Sequence, residues 1–306
     1  MTILFTGGGG ISSEYIYRNI NEEVFFADCE PDRIHPNIPK SRRKKIAYAE
    51  DNQYIKYLID LIDEISCDYL IPAVDEELIA ISRNRSKIPC EIILPDEKFV
   101  VLFLDKRDSA NFLSQNNLGP PSIFEYDLKE KTQYILKPRF GRGSRGVCIV
   151  DSIEKYHSYL RLYGRNKSDV IIQPLIEGIE FTVTIVANKK GELINIYPII
   201  AHNKKGSTVA ATCSSNSFVL DFCRKFQKIT KINYIYNIQM ILDKNNNCHI
   251  FEINPRISTT FSMPLRHNKF ILKDLLSNKE NPLTNWSGTR LSRNYVSYVF
   301  ERKSIQ

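Results

Sequence analysis

The chain has 306 residues, 42% apolar and 25% charged, with a formal net charge of +7. This composition is ordinary for a globular protein, and the length is comfortable for two or three packed subdomains. No apolar run reaches the roughly 18 to 20 residues that span a bilayer, and the polar N-terminus does not resemble a signal peptide. We therefore expect no membrane association and a cytoplasmic location.

The seven cysteines are scattered, and no two form a C-x-x-C pair, while the five histidines form no H-x-x-x-H pair. This pattern argues against a disulfide framework or a zinc site and fits a reducing compartment. The basic cluster at residues 40–45 contains no aromatic residue, so we expect a solvated loop and no nucleic-acid partner. The positive charge suits anionic small substrates.

The first hundred residues alternate between predicted strands and helices. The strands are predicted at residues 2–6, 24–27, 69–73 and 92–94, and the helices at residues 13–20, 53–66 and 76–84. In the second helix Ile55, Leu58, Ile59, Ile62 and Ile65 recur at three- and four-residue steps. Such βαβ repetition predicts a parallel sheet covered by helices on both faces.

One long helix is predicted at residues 97–116, and strands dominate after it. The clearest strands cover residues 134–137, 147–150, 170–173, 181–187, 238–243 and 248–254, with a helix at residues 218–230. The predicted fold class is therefore α/β with an α+β C-terminal part.

Two glycine-rich segments are candidates for phosphate loops. Residues 7–10 follow a strand and open a helix, and Asp28 lies where a dinucleotide-binding fold places its ribose-binding acid. A tight turn without a ligand explains residues 7–10 equally well. Residues 141–146 lie between two strands and combine glycines with arginines, which indicates either an anion-binding flap or a hairpin with a basic tip.

A third group of residues offers metal ligands. Glu252 and Asn254 alternate on one strand, so their side chains share a face roughly 7 Å apart. The turn at residues 244–247 suits a two- or four-residue loop, and either length places Gln239 directly opposite Glu252. The pattern predicts one cluster of oxygen donors for Mg²⁺, with Arg256 beside it. A polar rim on a half-buried hairpin is the alternative.

The order of these motifs resembles that of the ATP-grasp superfamily, in particular the carbamoyl-phosphate-synthetase-like branch that includes amino-acid ligases. The resemblance covers nearly the whole chain. It rests on residues 5–10, 70–78, 104–106, 136–138, 141–146, 172–183, 237–239 and 251–256. It implies a Rossmann-like pre-ATP-grasp domain at 1–96, a linking helix at 97–118, a lid subdomain at 119–178 and a C-terminal subdomain with the metal site at 179–306.

The resemblance also implies residue roles. The residues that would bind ATP are Lys106, Lys137, Gly143, Ser144, Gln173, Leu175, Ile176 and Glu180. The metal ligands would be Gln239, Glu252 and Asn254. The residues acting on the reacting groups would be Arg256, Asn254 and Lys204, with Lys204 or Lys205 replacing an arginine that is often found in the loop at 202–216. The substrate residues would be Gly8, Gly9, Gly10, Asp75 and Glu76.

The implied reaction is phosphorylation of a carboxylate by ATP, followed by attack of an amine on the acyl phosphate. ATP and Mg²⁺ or Mn²⁺ are the implied cofactors, the partners are a small-molecule carboxylate and amine, and a homodimer is one expected assembly. Three alternatives stay open. They are phosphorylation of bicarbonate or carbamate, an oxidoreductase that uses residues 7–10 and Asp28, and an inactive ATP-binding module.

Overall fold

The computed structural model describes residues 1–277 and 286–294, which form three β-sheets with helices packed around them. The end of the predicted C-terminal subdomain, residues 295–306, lies outside the described residues. The expected fold class is confirmed, because a parallel N-terminal sheet is followed by two antiparallel sheets. None of the helices within the described ranges is both long and apolar enough to cross a bilayer.

The N-terminal sheet is parallel throughout, in the order β3-β2-β1-β4-β5. Its strands are β1 (Thr2–Thr6), β2 (Glu23–Asp28), β3 (Arg43–Lys45), β4 (Tyr69–Ile71) and β5 (Glu91–Ile92), and its helices are α1 (Ser13–Asn19), α2 (Tyr54–Glu64) and α3 (Asp75–Arg83). The expectation of a solvated loop at residues 40–45 is wrong. This segment is a short 3₁₀ turn followed by β3, an edge strand whose charges protect it against further strand pairing.

The predicted helix at 97–116 is two helices, α4 (Glu97–Leu104) and α5 (Lys106–Gln115). Asp105 between them is extended, with φ −90° and ψ 106°, and its carboxylate accepts hydrogen bonds from the Arg107 and Asp108 amides. Asp105 is thus an N-cap, which begins a new helix at Lys106.

A small antiparallel sheet follows, with strands β6 (Tyr134–Pro138), β7 (Cys148–Val150) and β8 (Val170–Pro174) in the order β7-β6-β8. The sequence analysis missed helix α6 (Ile153–Tyr163), which places Tyr156 and Tyr159 against Tyr134 and Leu136. This sheet therefore has its own small core.

The large antiparallel sheet has the order β13-β12-β9-β10-β11-β14. Its strands are β9 (Ile179–Ala187), β10 (Leu193–Lys205), β11 (Ser207–Cys213), β12 (Tyr234–Leu242), β13 (Cys248–Asn254) and β14 (Arg290–Ser292), and its helices are α7 (Ser217–Thr230), α8 (Ser262–His267) and α9 (Ile271–Ser277). The loop expected at 202–216 is mostly the β10–β11 hairpin. One core cluster joins Phe5 and Phe26 to Tyr197 and Trp286, so the parallel sheet and the large sheet pack together.

Candidate active site

A cavity of about 280 Å³ lies between the small antiparallel sheet and the large sheet. Its walls come from β6, β8, β9, β10, β12 and β13, from the start of α5 and from the loop at residues 141–146. Eleven predicted site residues line it: Lys106, Lys137, Gly143, Ser144, Gln173, Leu175, Ile176, Glu180, Lys204, Gln239 and Glu252. Segments far apart in the chain therefore meet around one space.

Lys137 lies at the end of β6 and is almost fully buried. Its Nζ donates to Gln173 Oε1 at 3.0 Å and to the Phe251 carbonyl oxygen at 3.5 Å, and lies 4.7 Å from the centroid of the Phe251 ring. Burial lowers the pKa of Lys137 from 10.5 to about 8, while the Glu252 carboxylate opposes that shift. A bound phosphate would favour the charged ammonium form.

Lys106 reaches the cavity because the break at Asp105 makes it the first residue of α5. Asp105 is also paired with Arg139, which follows β6 along the chain, at 2.6 Å. The Lys106 Nζ donates to the Gly141 carbonyl oxygen and lies 3.7 Å from Glu252 Oε1. Asp105 thereby couples the helix start to the strand that carries Lys137.

The predicted pairing of Gln239 with Glu252 is confirmed, but the turn that was used to predict it is different. The Asp243 amide donates to the Asn247 carbonyl oxygen at 3.0 Å, which closes a three-residue turn with Asn246 at φ +63°. A register shift between Gln239 and Met240 then leaves Phe251 as an extra residue on β13. This bulge restores the opposition of Gln239 and Glu252 and leaves the Phe251 carbonyl oxygen facing Lys137.

Asn254 and Arg256 lie at the end of β13, outside the lining of the cavity. Asn254 is buried opposite Asn237, whose side-chain amide donates to the Arg256 carbonyl oxygen. The Arg256 guanidinium is paired with Asp75, the first residue of α3. Arg256 therefore points toward the carboxyl end of the parallel sheet.

Lys204 lies near the tip of the β10–β11 hairpin, where register shifts separate Ala201, Asn203 and Lys204. Its Nζ forms an ion pair with Glu180 and donates to Gln239 Oε1 at 3.1 Å. The neighbouring Lys205 is exposed and does not line the cavity. Of the two lysines proposed for this position, Lys204 is the one that enters the site.

The glycine-rich loop at 141–146 covers one side of the cavity. Gly143 has φ +66°, a left-handed conformation that glycine adopts without strain, and Ser144 follows it with φ +58°. Arg142 of this loop is paired with Glu76 of α3 at 3.0 Å. The loop therefore contacts the N-terminal sheet region as well as the cavity.

The segment after β8 supplies the opposite wall. The Leu175 amide donates to the Gln133 carbonyl oxygen at 3.1 Å, and Leu175 and Ile176 both line the cavity. Gln173 is buried between Lys137 and the Pro120 carbonyl oxygen, to which its Nε2 donates at 3.0 Å. Gln173 thus holds the Lys137 ammonium in place.

The five residues that the resemblance implies for substrate binding do not line the cavity. A Cβ at Gly8 would lie 2.9 Å from Phe26 Cβ, and a Cβ at Gly9 would lie 2.9 Å from Arg33 Cβ, so close packing requires these glycines. Asp28 accepts the Gly9 amide at 2.8 Å and the Glu30 amide at 3.0 Å. Both oxygens of Asp28 are thus engaged within the turn, which disfavours the dinucleotide hypothesis.

The sequence analysis missed the apolar walls of the cavity. They include Ile135, Val147, Ile241 and Phe251, together with His249, which is hydrogen-bonded to Asp243 at 2.9 Å. Ile135 and Val147 flank the glycine-rich loop, and Ile241 and Phe251 flank the predicted metal ligands. Proximity in sequence to the recognised motifs was therefore the signal that could have identified these lining residues. A half-apolar cavity of this kind suits the base of a nucleotide.

The oxygen donors around Glu252 fit a hard divalent cation. Gln239 is opposite Glu252 in the sheet, and Asn254 follows two residues later on the same face. Within residues 1–277 and 286–294 no group of three His, Cys, Asp or Glu side chains could hold a metal. A cation here would rely on one carboxylate and on amide oxygens, which Mg²⁺ accepts when phosphate and water complete its shell.

Comparison with known proteins identifies a family and a fold. Residues 103–260 match the family profile described as ATP-grasp domain. No curated protein matches the chain in sequence.

Several solved structures share the fold at 14% sequence identity. The biotin carboxylase domain of Hydrogenobacter thermophilus 2-oxoglutarate carboxylase has a TM-score of 0.66 over 92% of this chain and 71% of that chain. The L-amino acid ligase of Bacillus licheniformis has a TM-score of 0.66 over 91% and 75%. The carboxyaminoimidazole ribonucleotide synthase of Aspergillus clavatus has a TM-score of 0.68 over 93% and 78%.

Proposed function

The chain belongs to the ATP-grasp family, and we propose that it is an ATP- and Mg²⁺-dependent carboxylate–amine ligase acting on small molecules. One observation carries this proposal. Lys106, Lys137 and Lys204 converge on the same cavity as Glu252 and Gln239, from five separate segments of the chain. Such a site can position and neutralise a polyphosphate, which is the main requirement of phosphoryl transfer.

The nucleotide would lie between the small antiparallel sheet and the large sheet. The backbone at Leu175 and Ile176 would meet the base, Glu180 would accept the ribose hydroxyls, and Gly143 and Ser144 would cover the phosphates. Lys106 and Lys137 would hold the phosphates from two sides. The support is that all seven residues line the cavity, and that Lys137 is a buried cation without a carboxylate in direct contact among the described residues.

Glu252 and Asn254 would hold the metal ion, and Gln239, directly opposite Glu252, is the third oxygen donor predicted for this cluster. When bound, Mg²⁺ supplies positive charge that stabilises the phosphate oxygens during transfer. The Lys106 ammonium, 3.7 Å from Glu252, would keep that carboxylate oriented toward the phosphates. The glycine-rich loop would exclude water, because water would hydrolyse an acyl phosphate.

In the reaction the substrate carboxylate oxygen attacks the γ-phosphorus, and the bond from that phosphorus to the bridging oxygen of ADP breaks. The amine then attacks the acyl carbon, loses a proton, and inorganic phosphate leaves. Arg256 would stabilise the phosphorylated substrate. Its place beside Asp75, at the carboxyl end of the parallel sheet, supports a substrate pocket there.

We also propose the four-part division predicted from the sequence, with ATP between the parts at 119–178 and 179–306. The lack of any disulfide among the seven cysteines supports a cytoplasmic location. A homodimer is proposed as the assembly, since the Hydrogenobacter domain is a dimer in its solved structure.

An ADP-release screen tests the proposal. The purified chain is incubated with ATP, Mg²⁺ and single amino acids or small carboxylates, each with and without amine acceptors. We expect ADP and phosphate in equal amounts only when a carboxylate and an amine are both present. Absence of nucleotide binding, measured by calorimetry with ADP and Mg²⁺, would refute the proposal at its first step.

Bicarbonate is the second candidate carboxylate. It is favoured by the fold shared with the Hydrogenobacter carboxylase domain, whose structure contains MgADP and bicarbonate. ADP release that bicarbonate stimulates without any amino acid would support this candidate. Stimulation only by an organic carboxylate with an amine would favour the ligase.

A further inference from the structure

The Lys204 ammonium occupies the space between two predicted ligand-binding side chains. It is ion-paired with Glu180 and lies 3.1 Å from Gln239 Oε1. Its side chain retains only 27% of its exposure, so the position is enclosed by protein on most sides. The side-chain oxygen of Gln239 is therefore already bound by a cation that belongs to the chain itself.

The hairpin backbone explains why Lys204, and not its neighbour, reaches this position. Two register shifts between Ala201 and Lys204 change which side chains of β10 face the cavity. Lys204 is then paired across the strand with Thr208, and Lys205 with Ser207 beside Gly206. Lys205 remains exposed at the tip of the hairpin.

The acidic donors in the cavity are few. Glu252 is the one carboxylate among the three predicted metal ligands, and the other carboxylate that lines the cavity, Glu180, is occupied by Lys204. Without Lys204, Glu180 and Gln239 would offer oxygen donors to a second cation in the cavity.

The cationic side chains outnumber the acidic ones before any metal binds. Lys106, Lys137 and Lys204 line the inner cavity, and the glycine-rich loop adds Arg142 and Arg145, against Glu180 and Glu252. A second divalent cation at Gln239 would lie beside the Lys204 ammonium, and like charges this close repel strongly inside a protein.

We propose that this site binds one divalent cation per nucleotide, held by Glu252 and Asn254. The Lys204 ammonium, beside Gln239, takes the place of a second divalent cation. The proposal rests on the proposed function, since it needs a nucleotide in the cavity. Lys204 then supplies a monovalent, non-exchangeable charge next to the phosphates. The site would need less free metal than a two-metal site, and Gln239 would orient Lys204 instead of binding metal.

Equilibrium dialysis with Mn²⁺ and the non-hydrolysable analogue AMP-PNP tests this stoichiometry. Bound Mn²⁺ is measured by electron paramagnetic resonance and bound AMP-PNP by absorbance, at concentrations that saturate the protein with nucleotide. We expect about one Mn²⁺ per bound nucleotide in the wild type and about two in Lys204→Met, a doubling that follows from removing the competing charge. Lys205→Met is the matched control and should keep the wild-type ratio, as should Lys204→Arg.

The outcomes separate this inference from the proposed function. About two Mn²⁺ per nucleotide in the wild type would overturn the inference while supporting nucleotide binding. An unchanged ratio in a folded Lys204→Met, checked by circular dichroism, would also overturn it. No bound AMP-PNP in any variant would instead refute the proposed function. If Lys204→Met does not fold, the ratio of bound Mn²⁺ to bound AMP-PNP in the wild type still tests the inference.

Discussion

Single residues in the cavity have environments that differ from those of ordinary surface groups. Lys137 is a buried ammonium whose contacts are an amide oxygen, a carbonyl oxygen and an aromatic ring. Burying such a charge is costly unless a ligand compensates for it. Glu252 is the acidic member of the predicted metal set and lies near Lys106. These two residues give the sharpest tests at this scale.

Replacement of Glu252 by alanine should abolish turnover and leave the fold intact. The side chain is partly exposed in the cavity and fills no core volume, but it is the predicted carboxylate ligand of the metal. A metal contribution of several kcal/mol corresponds to a loss of about 100-fold or more in kcat. ADP release measures the loss, and thermal unfolding checks the fold. Glu154→Ala, at an exposed site on α6, is the control. Near-normal ADP release by Glu252→Ala would contradict the assignment of Glu252 as a metal ligand.

Nucleotide affinity should depend on pH through Lys137. Its pKa in the folded protein is about 8 because the side chain is buried, so the ammonium form is lost as pH rises through that value. Phosphate binds the ammonium form, and we expect the affinity for ADP to fall steadily above pH of about 8. Calorimetric titrations between pH 7 and 9.5 measure this change.

Lys137→Met provides the comparison for this pH dependence. Without the ammonium group, the variant should bind ADP weakly at every pH and lack the wild-type decline. A wild-type affinity that stays flat through pH 8 would show that Lys137 does not contact the phosphates.

Elements of the fold bring these residues into reach by local irregularities. The break at Asp105 starts α5 at Lys106, the bulge at Phe251 aligns Gln239 with Glu252, and the register shifts near Lys204 bring its side chain inward. Each of these irregularities occurs beside a side chain that is proposed for the site, as is common for bulges near functional sites.

Replacement of Asp105 by alanine should affect both stability and nucleotide binding. It removes the N-cap of α5 and the ion pair with Arg139, and loss of an N-cap costs about 1 kcal/mol. Urea unfolding measures the stability, and we also expect KM for ATP to rise because Lys106 loses its support. Asp108→Ala, exposed one turn into α5, is the control for charge. An unchanged KM in Asp105→Ala would show that the N-cap is not needed to position Lys106.

At the scale of the whole molecule, two ion pairs at the start of helix α3 connect the N-terminal part to the later sheets. Asp75 pairs with Arg256 after β13, and Glu76 pairs with Arg142 of the glycine-rich loop. The first pair is mostly buried, with side chains 17% and 13% exposed, whereas the second is 40% and 38% exposed. The first therefore contributes to the permanent packing, while the second is a weak contact of a loop.

Double-mutant cycles should distinguish these two pairs. We expect a coupling energy of about 1–3 kcal/mol between Asp75→Ala and Arg256→Ala, because the pair is shielded from water. For Glu76→Ala and Arg142→Ala we expect about 0–1 kcal/mol, since exposed pairs are screened. Urea unfolding of the single and double variants gives both values. Equal coupling energies would contradict the different roles of the two pairs.

Most of the fold class could be predicted from the sequence. Alternation of strands and helices in the first hundred residues, the stripe of α2 and the polar strand end at Glu252 all follow from local periodicity. The break at Asp105 could not be predicted with the same ease, because Leu104 and Lys106 are both good helix formers. The β10–β11 hairpin was missed since its tip, residues 202–207, is polar and lacks a strong strand pattern.

The family resemblance implied Lys106 and Lys204. By itself the sequence determined the other groups that the candidate site could use: Lys137 at a strand end, the acidic strand end at Glu252 and a glycine-rich loop. These signals are local, because they depend on residue type and on spacing along one element. Only the tertiary structure decided that Lys204, and not Lys205, faces Gln239, and that Gly9 packs against Arg33 instead of lining the cavity. Those outcomes depend on register shifts and on contacts between distant segments, whose energies no short stretch of sequence contains.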